Sequence, residues 1–486
     1  MPKRYRFFGL WPQDDTSLDV LALAVGLGAL LAVGTASLLL ALVGAALYFL
    51  AVAARPWIAI PTIVFSLPFY LHPRPIAGLE FSATEIAILI ATTSVLGRAA
   101  LEFTTARRQR PHPGPQRPTP LRPLAPSVVD WGAASFLLAG LLSMLVTEYP
   151  RQSFRELRWL IVEPLLVFYV ARATLGNPGH VTATLWSIML AGVLAAALGV
   201  ATSISGGADP LARATAPYLS PNHLGLFLGR AGTIALALAL FGPRRRTRLP
   251  TSASWGSLAM IGVGLIKTLS LGAWLGFGAA ALALAWLRGR RWSAAAALFL
   301  VGIAVVALLA LPPDRTTARL DPQTGTALVR VQIWQASLRM LADHPLLGVG
   351  LDNFLYAYRG RYILPEASEE PNISHPHNWV LHFWLQLGLL GLAAAIALMV
   401  WAAVSALQLF RTPGAAIDRP LAAATAGMLV DFLMHGAFDN SYFLVDMAVI
   451  WWIMLGLLAV RLSALRPLAP GPEPALTSGV DNGNVE

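Results

Sequence analysis

The sequence predicts an all-α, polytopic integral membrane protein. Of its 486 residues, 56% are hydrophobic and only 12% are charged. The apolar residues are gathered in runs of about 18, which is long enough for a helix to cross roughly 30 Å of hydrocarbon. We therefore expect about 12–14 transmembrane helices, together with one large, partly helical extracytoplasmic loop.

The apolar runs divide the chain into six parts. Proline-rich and polar stretches separate or follow the helices, and their composition does not bury enough apolar surface to fold. The predicted spans are 18–34, 36–54, 56–72, 84–98, 130–147, 159–176, 180–202, 223–242, 252–269, 271–287, 293–311, 378–404, 420–437 and 443–462. The parts are the N-terminal transmembrane helices (1–98), a cytoplasmic linker rich in proline and arginine (99–128), the central transmembrane helices (129–311), the extracytoplasmic loop (312–376), the C-terminal transmembrane helices (377–466) and a disordered cytoplasmic tail (467–486).

Basic residues predict the orientation, because cytoplasmic loops retain lysine and arginine during insertion. Compact clusters, such as the arginines of 107–110 and 244–248, fall on the side that holds the N-terminus. We therefore predict that both termini are cytoplasmic. The net charge of +10 is then a topology signal and not a sign of nucleic-acid binding. Zero cysteines exclude disulfides, thiolate metal sites and cysteine nucleophiles.

The long outer loop is predicted to contain an amphipathic helix that lies on the bundle or on the membrane surface. Pro345 should end this helix. Long ordered loops usually carry function, so the loop is a candidate part of the site. The apolar stripe that predicts the helix recurs at spacings of three and four: Ala327, Val331, Trp334, Leu338 and Leu341.

Arginines on the predicted outer side oppose the positive-inside bias, which makes them candidates for a functional role. Arg155 and Arg158 share one helical face at the start of the sixth span, Arg213 precedes the eighth span, and Arg330 lies in the loop helix. A guanidinium binds phosphate bidentately, so this set suits a diphosphate headgroup. The alternative is that these arginines snorkel to lipid phosphates or pair with nearby glutamates.

Histidines close the outer loop and open the next predicted span. Pro376 suits a first helical position, which would place His377 and Asn378 at the positive end of a helix dipole. That field favours the neutral imidazole, the form that accepts a proton. His382 follows in a polar stripe that must face protein and not lipid. His377 is thus the candidate general base, and a structural role stays open for His375 and His382.

A third group, Asp431, His435 and Asp439, recurs at spacing four near the outer end of the thirteenth span. We expect these residues to bond one another or to meet the twelfth span, because unpaired ionisable groups are costly in hydrocarbon. They would then orient the catalytic imidazole, or form a purely structural hydrogen-bond cluster. No spacing here is diagnostic of a metal, so no metal site is predicted.

Two missing motifs narrow the function. The stretch 262–268 superficially suggests a phosphate loop, but it lies in an apolar span and has Ile266 where the motif requires glycine. No ATPase is therefore expected. A pair of aspartates one residue apart in a soluble domain, which sugar-nucleotide transferases use, is also missing, so a nucleotide-sugar donor is not expected.

Three motifs occur in a fixed order along the chain. The first is Arg213 followed by Tyr-Leu-Ser-Pro-Asn-His at 218–223. The second is Arg330 followed by His-Pro-Leu-Leu-Gly-Val-Gly at 344–350. The third is His377-Asn378, with Gln-Leu-Gly-Leu-Leu-Gly ten residues or so further on. Over 213–395 this order resembles the O-antigen ligase and Wzy polymerase superfamily of bacterial membrane glycosyltransferases.

The resemblance implies a metal-independent transferase of the bacterial cytoplasmic (inner) membrane that uses no cofactor. Its donor would be a glycan on undecaprenyl diphosphate, and its acceptor a lipid or another glycan. It implies that His377 is essential, that Arg213 and Arg330 hold the diphosphate, and that Asn222 and Asn378 support the site.

One departure from the family pattern concerns the diphosphate. The family commonly has Ser-Arg-Gly where this chain has Ser270-Leu271-Gly272. Lys267, which is one helical turn before Leu271, is the candidate replacement, although an ammonium group does not grip phosphate bidentately. We assign His375, His435 and Asp439 supporting roles in the candidate site.

The acceptor stays open at this point. A ligase would use a lipid A core sugar, a Wzy-type polymerase the end of another glycan, and a protein O-oligosaccharyltransferase a serine. The resemblance favours the ligase, because in the family pattern one long outer loop directly precedes the His-Asn helix, as it does here. A transporter or lipid flippase is the rival from another class, but the polar groups lie at the outer ends of the spans and not at the midplane, where transporters bind substrate.

Overall fold

The computed structural model describes residues 16–35, 37–76, 79–108, 126–205, 212–242, 251–310, 325–368 and 370–465. This part of the chain is almost entirely helical, and its strands form one short antiparallel hairpin, Arg74–Ile76 with Leu79–Phe81. The α-helices are α1 (Thr16–Val33), α2 (Leu38–Ala54), α3 (Ala59–Ser66), α4 (Ala83–Arg108), α5 (Val128–Ser143), α6 (Pro150–Leu157), α7 (Glu163–Thr174), α8 (Pro178–Ser205), α9 (Pro221–Phe241), α10 (Thr251–Thr268), α11 (Leu271–Arg288), α12 (Arg290–Ala310), α13 (Gly325–Asp343), α14 (Phe354–Ala357), α15 (Trp379–Arg411), α16 (Asp418–Gly436) and α17 (Val445–Leu465). Shorter turns of 3₁₀ or π-helix lie at Pro56–Ile58, Leu67–Phe69, Arg158–Val162, Tyr358–Tyr362 and Pro365–Ala367.

Every predicted span overlaps helical residues, which confirms the all-α polytopic class. Among the described residues, six helices are long and apolar enough to cross a membrane, namely α4, α8, α9, α11, α15 and α17. Shorter apolar helices occur at Ser17–Val33, Leu38–Ala54, Pro56–Phe69 and Val128–Ser143. The most enclosed helix is α9, which packs against α8, α10, α11 and α16.

Helix α4 extends into the segment predicted to be a linker. Helix α4 continues to Arg108, so the first part of 99–128 is helical. The remainder of that segment, at 109–125, lies outside the described residues, as do the tail from 466 onward and the start of the outer loop at 311–324.

Helix α13 confirms the predicted loop helix, and Leu341 of its predicted apolar stripe is buried. Ile333, Ala336 and Met340 are fully buried, whereas Val331 is 36% exposed and Leu338 is 58% exposed. Both faces of α13 carry apolar residues at helical spacing, so periodicity alone does not determine which face packs. The buried face joins a satellite core that includes Phe354, Tyr358 and Leu385 of the loop and α15.

Helix α15 is broken at Gly388, and the outer loop docks into the break. Gly388 has φ 69° and ψ −174°, a conformation that favours glycine. The break removes the helical hydrogen bond to the Leu385 carbonyl oxygen. This oxygen instead accepts from the Val349 backbone N–H at 2.8 Å. On the other side of the break, the Leu389 N–H donates to the Leu346 carbonyl oxygen at 2.9 Å. These bonds fix the loop to the helix that carries the candidate histidines at its N-terminus.

Candidate active site

Helix α15 starts three residues later than the sequence analysis predicted. Asn378 is its N-cap, and the side-chain oxygen of Asn378 accepts from the N–H groups of Val380 and Leu381 at 3.0 and 3.2 Å. Pro376 therefore lies outside the helix, and His377 directly precedes the cap. His377 has φ 49°, a left-handed conformation that is uncommon for non-glycine residues and is found at functional sites.

His375, His377 and Asp439 come together at this helix start, and we call them the His–Asp cluster. Asp439 lies in the loop after α16 and not on the helix, because α16 ends at Gly436. Its Oδ1 atom is 3.2 Å from His377 Nδ1 and 3.3 Å from His375 Nε2. The same oxygen also accepts from the Asn440 backbone N–H at 2.8 Å. The structure thus places a carboxylate against both imidazoles of the loop.

The electrostatics of the cluster favour a charged carboxylate beside a neutral His375. Burial opposes the charge on Asp439, but hydrogen bonds from His375 and His377 outweigh burial and hold the pKa of this carboxyl well below its usual range. Burial lowers the pKa of His375, and the charge of His377 adds to this, against the effect of Asp439. The side chains of His375 and His377 are 22% and 21% exposed, so part of each ring faces the surface.

The loop that carries Asp439 is held by its own polar residues. The Asn440 side-chain oxygen accepts from the N–H groups of Tyr442 and Phe443, and its amide donates to the Phe443 carbonyl. Tyr442 donates its hydroxyl to the Leu160 carbonyl at 2.7 Å and accepts from the Trp452 indole at 3.0 Å. Asp439 therefore stands on a turn that is anchored in the core of the bundle.

Asp431 and His435 do not bond each other, and of the two alternatives predicted from the spacing, contact with the start of the twelfth predicted span is made by Asp439. Asp431 forms an ion pair with Arg230, a buried arginine of α9. Both ring nitrogens of His435 lack a hydrogen-bond partner within the described structure, and the residue is fully buried. The ring packs beside α11, where a Cβ added to Gly272 would lie 2.8 Å from it. Arg230, from another span, supplies the charge opposite to that of Asp431.

The polar stripe of α15 faces protein, as its sequence pattern predicts. His382 and Gln386 are 3% and 5% exposed. The Gln386 amide contacts His382 Nε2 at 3.2 Å, and its oxygen accepts from the Asp352 N–H at 2.6 Å. The His375 and His382 rings stack with centroids 5.6 Å apart. The stripe therefore supports the cluster from within the bundle.

Helix α13 ties the outer loop to both halves of the cluster. Arg330 Nε donates to the Phe438 carbonyl at 3.0 Å, directly before Asp439. One turn along the helix, the Trp334 indole donates to the Pro376 carbonyl at 3.0 Å, directly before His377. The structure thus brings the predicted Arg330 next to the His–Asp cluster.

Arg213 is placed at the turn between α10 and α11. Its Nε donates to the Thr268 carbonyl at 2.8 Å and its Nη2 to Asn222 Oδ1 at 3.1 Å. The backbone of Lys267 lies next to the Arg213 segment, because the Lys267 carbonyl accepts from the Ala214 N–H at 2.9 Å. Lys267 and Leu271 are not neighbours on one helix, however, because the helix is interrupted at Leu269, which lies between α10 and α11 and has φ 48°. The turn also leads to Gly272, which packs against His435.

Arg155 and Arg158 have carboxylate partners. Arg155 contacts Asp352 at 2.8 Å and Glu156 at 3.9 Å. Arg158 contacts Glu85 at 2.6 Å and Glu163 at 3.7 Å. These contacts favour the alternative that the sequence left open, in which the two arginines pair with acidic residues.

Two polar networks were missed by sequence reasoning. Asp446, near the start of α17, accepts from the Tyr218 hydroxyl at 2.8 Å and contacts His223 Nε2 at 3.0 Å. An aspartate inside an apolar span was the available signal for this network. Asn353 accepts from the N–H of Tyr149 and donates to Thr147, which clamps the loop after α5.

The described chain also contains a group of side chains that suits a cation. The nearest nitrogen and oxygen atoms of His375, His377 and Asp439 all lie within 4.8 Å of one another. No metal site is predicted from the sequence, because no spacing there is diagnostic of a metal, and 62 residues separate His377 from Asp439 in the chain.

An apolar helix bundle with a histidine–carboxylate cluster at one end defines this chain as a multi-pass membrane protein with a polar site at a bundle end. Residues 255–396 match the family model described as O-antigen ligase, which confirms the resemblance to the O-antigen ligase and Wzy superfamily. Members of that family are membrane glycosyltransferase-like enzymes of the bacterial inner membrane. The matched segment includes Lys267, Arg330 and His377, whereas Arg213 and Asp439 lie outside it. No curated protein matches the chain.

Proposed function

We propose that the protein is an O-antigen ligase-like glycosyltransferase that moves a glycan from undecaprenyl diphosphate to an acceptor hydroxyl, on lipid A core or a similar lipid, at the outer face of the membrane. The observation that carries this proposal is the 3.2 Å contact between His377 Nδ1 and Asp439 Oδ1. A carboxylate at Nδ1 favours the tautomer that carries its proton there, and this leaves the Nε2 lone pair as a proton acceptor.

In the proposed reaction, His377 Nε2 takes the proton of the acceptor hydroxyl while the hydroxyl oxygen attacks the anomeric carbon. The bond between that carbon and the diphosphate oxygen breaks, and its electron pair leaves with the diphosphate. Attack from the face opposite the leaving group inverts the anomeric configuration. Asp439 stabilises the imidazolium that forms, and metal ions take no part.

The diphosphate leaving group needs positive charge close to the cluster. Arg330 supports this role through its position beside Phe438. Arg213 supports it through its contact with the α10–α11 turn, which leads to Gly272 beside His435. Fixed guanidinium groups stabilise charge that develops in a transition state without reorganising. Lys267 adds a further cation near this turn. The diphosphate role is not extended to Arg155 and Arg158, since carboxylates already contact them.

The acceptor distinguishes the proposed ligase from its relatives. A Wzy-type polymerase or a protein O-oligosaccharyltransferase would use the same donor chemistry with a different hydroxyl. The ligase is supported by the family pattern of one long outer loop before the His-Asn helix, and here Trp334 of that loop donates to the Pro376 carbonyl, directly before His377. A flippase or transporter is disfavoured, because the His–Asp cluster lies at the end of α15 and not at mid-helix.

The test is a reconstituted transfer assay. The purified protein receives an undecaprenyl-diphosphate-linked glycan and, in parallel, lipid A core, no acceptor, or a serine-containing peptide, all in excess EDTA. We expect glycosylated lipid A core by mass spectrometry. Longer lipid-linked glycans would show a polymerase, and a glycosylated peptide a protein transferase. Transport of the lipid without transfer would overturn the proposal, and activity that EDTA stops and Mg²⁺ or Mn²⁺ restores would overturn its metal-free mechanism.

A further inference from the structure

We propose that the His–Asp cluster is also a binding site for a divalent transition cation of the zinc type, and that this cation inhibits the protein. The inhibition rests on the proposed function, because it acts through the general base. The binding does not, because it depends only on the donor atoms of His375, His377 and Asp439.

The donor atoms have the chemistry and the spacing that zinc requires. Imidazole nitrogen and carboxylate oxygen both bind Zn²⁺ at about 2.0–2.1 Å, so two ligands of a tetrahedral ion lie about 3.3 Å apart. His375 Nε2 and His377 Nδ1 lie 3.3 and 3.2 Å from Asp439 Oδ1. All three donor atoms fall within 4.8 Å of one another, so a small closure of the two imidazoles completes the geometry.

Neighbouring polar groups already orient these ligands. The Ser374 hydroxyl lies 3.0 Å from His375 Nδ1, which directs Nε2 of the same ring toward Asp439. The Asn440 N–H holds Asp439 Oδ1 at 2.8 Å. Hydrogen bonds of this kind to the ligand side chains fix ring orientation and raise metal affinity. The two histidine side chains are about one-fifth exposed, which leaves an entry path and room for a fourth ligand.

Occupation of this site would remove the general base. A neutral imidazole carries one proton, and the proposed mechanism has that proton on His377 Nδ1, which lies 3.2 Å from Asp439 Oδ1. A cation bound to Nδ1 takes the lone pair of that atom, so the ring proton resides on Nε2. The lone pair of Nε2 is then no longer available to the acceptor hydroxyl, and Asp439 is bound to the cation instead of to the ring.

A comparison of different cations distinguishes binding at this site from a general effect of ionic charge. Zn²⁺ and Co²⁺ accept imidazole ligands readily, whereas Mg²⁺ prefers oxygen ligands in octahedral geometry. Arg330 places a positive charge near His375 and weakens cation binding. We therefore expect a site that fills when the cation is added and empties in EDTA, and not one that remains loaded through purification.

The experiment uses the full-length protein purified without a polyhistidine tag. Co²⁺ binding is followed by its visible absorption, and Zn²⁺ by inhibition of glycan transfer. We expect one saturable Co²⁺ site with tetrahedral bands and at least tenfold inhibition by Zn²⁺, reversed by EDTA and not produced by Mg²⁺. His375→Gln and Asp439→Asn should lose the Co²⁺ bands. His72→Gln, which changes an exposed histidine outside the cluster, should keep both the bands and the inhibition.

Each outcome bears on one part of the account. Co²⁺ bands that persist in folded His375→Gln and Asp439→Asn proteins would overturn the site. If either variant fails to fold, Ser374→Ala serves instead, and an unchanged Co²⁺ affinity in it would count against the site. Saturable binding without Zn²⁺ inhibition would overturn the inhibitory role. Binding in a protein that transfers no glycan would leave the cation site intact and overturn the proposed function.

Discussion

His377 Nδ1 lies 3.2 Å from Asp439 Oδ1, although 62 residues separate the two in the chain. The contact joins the start of α15 to the loop between α16 and α17. Five further hydrogen bonds hold its two sides: Asn378 caps α15 through two of them, Trp334 binds the residue before His377, Arg330 binds the residue before Asp439, and Asn440 donates to the carboxylate. The imidazole and its partner are thus positioned by several independent elements.

Asp439→Asn should lower kcat on the order of a hundredfold and leave the KM for the donor within about twofold. An amide does not stabilise the imidazolium as a carboxylate does, so the chemical step suffers more than binding. Because the pKa of Asp439 is held well below its usual range, the carboxylate stays charged at mildly acidic pH, and its stabilising effect is lost only as the pH falls through that lowered pKa. Asp343→Asn, at an exposed carboxylate that accepts from Tyr362, is the matched control. An unchanged kcat would argue against a positioning role. A lowered kcat accompanied by a clearly lowered melting temperature would also argue against it.

Gly388→Ala should destabilise the protein, with a strain on the order of 1–3 kcal/mol. The φ of 69° suits glycine, and an added Cβ would lie 2.8 Å from Leu347 Cα in the docked loop. We expect a lower melting temperature in detergent and reduced transfer, because the loop supports the cluster. Gly262→Ala in α10, where an added Cβ meets nothing within 4 Å, should have little effect. Equal melting temperatures for the two variants would show that the break at Gly388 does not require glycine.

Several features of the fold followed from sequence alone. The spans, the loop helix and the inward polar stripe of α15 were predicted, because apolar run length and helical periodicity reflect burial directly. The buried face of α13 was not, since Val331 and Ile333 are equally apolar and only the docked loop distinguishes them. The break at Gly388 was also missed, because a glycine in an apolar run reads as ordinary helix until its partner segment is known.

The candidate site shows the same division. The sequence singled out His377, Arg330 and Asp439 separately, and the fold brings them together. Their contacts come from residues distant in the chain, which local spacing does not report. Spacing along one helix likewise groups Asp431 with His435, whereas Arg230 of another span pairs with Asp431.

Arg213→Lys and Arg330→Lys should each weaken binding of undecaprenyl diphosphate about tenfold, and the alanine variants should weaken it further. Lysine keeps the charge but loses the planar fork that binds phosphate bidentately. Arg339→Lys, at an exposed arginine of α13, is the control for general charge effects. Direct binding of the lipid to the purified variants is the measurement. Alanine variants that bind as tightly as the unsubstituted protein would limit both arginines to anchoring the outer loop.

The proposed orientation gives a prediction that is independent of chemistry. A reporter fused after Pro345 should read as extracytoplasmic, because the long loop before α15 is predicted to face outward. A reporter inserted near Pro115, in the arginine-rich segment, should read as cytoplasmic. The opposite result at either position would remove the basis for placing the His–Asp cluster at the outer face.

The most direct test of the account is transfer from a purified lipid-linked donor by His377 variants. His377→Ala removes the imidazole, and His377→Asn removes it while keeping a residue that tolerates the left-handed backbone at φ 49°. Both should reduce kcat by about a hundredfold to ten-thousandfold, with melting temperatures and elution profiles like those of the unsubstituted protein. His72→Ala, at an exposed histidine, should retain full activity. Unreduced turnover by either folded His377 variant would contradict the assignment of His377 as the general base.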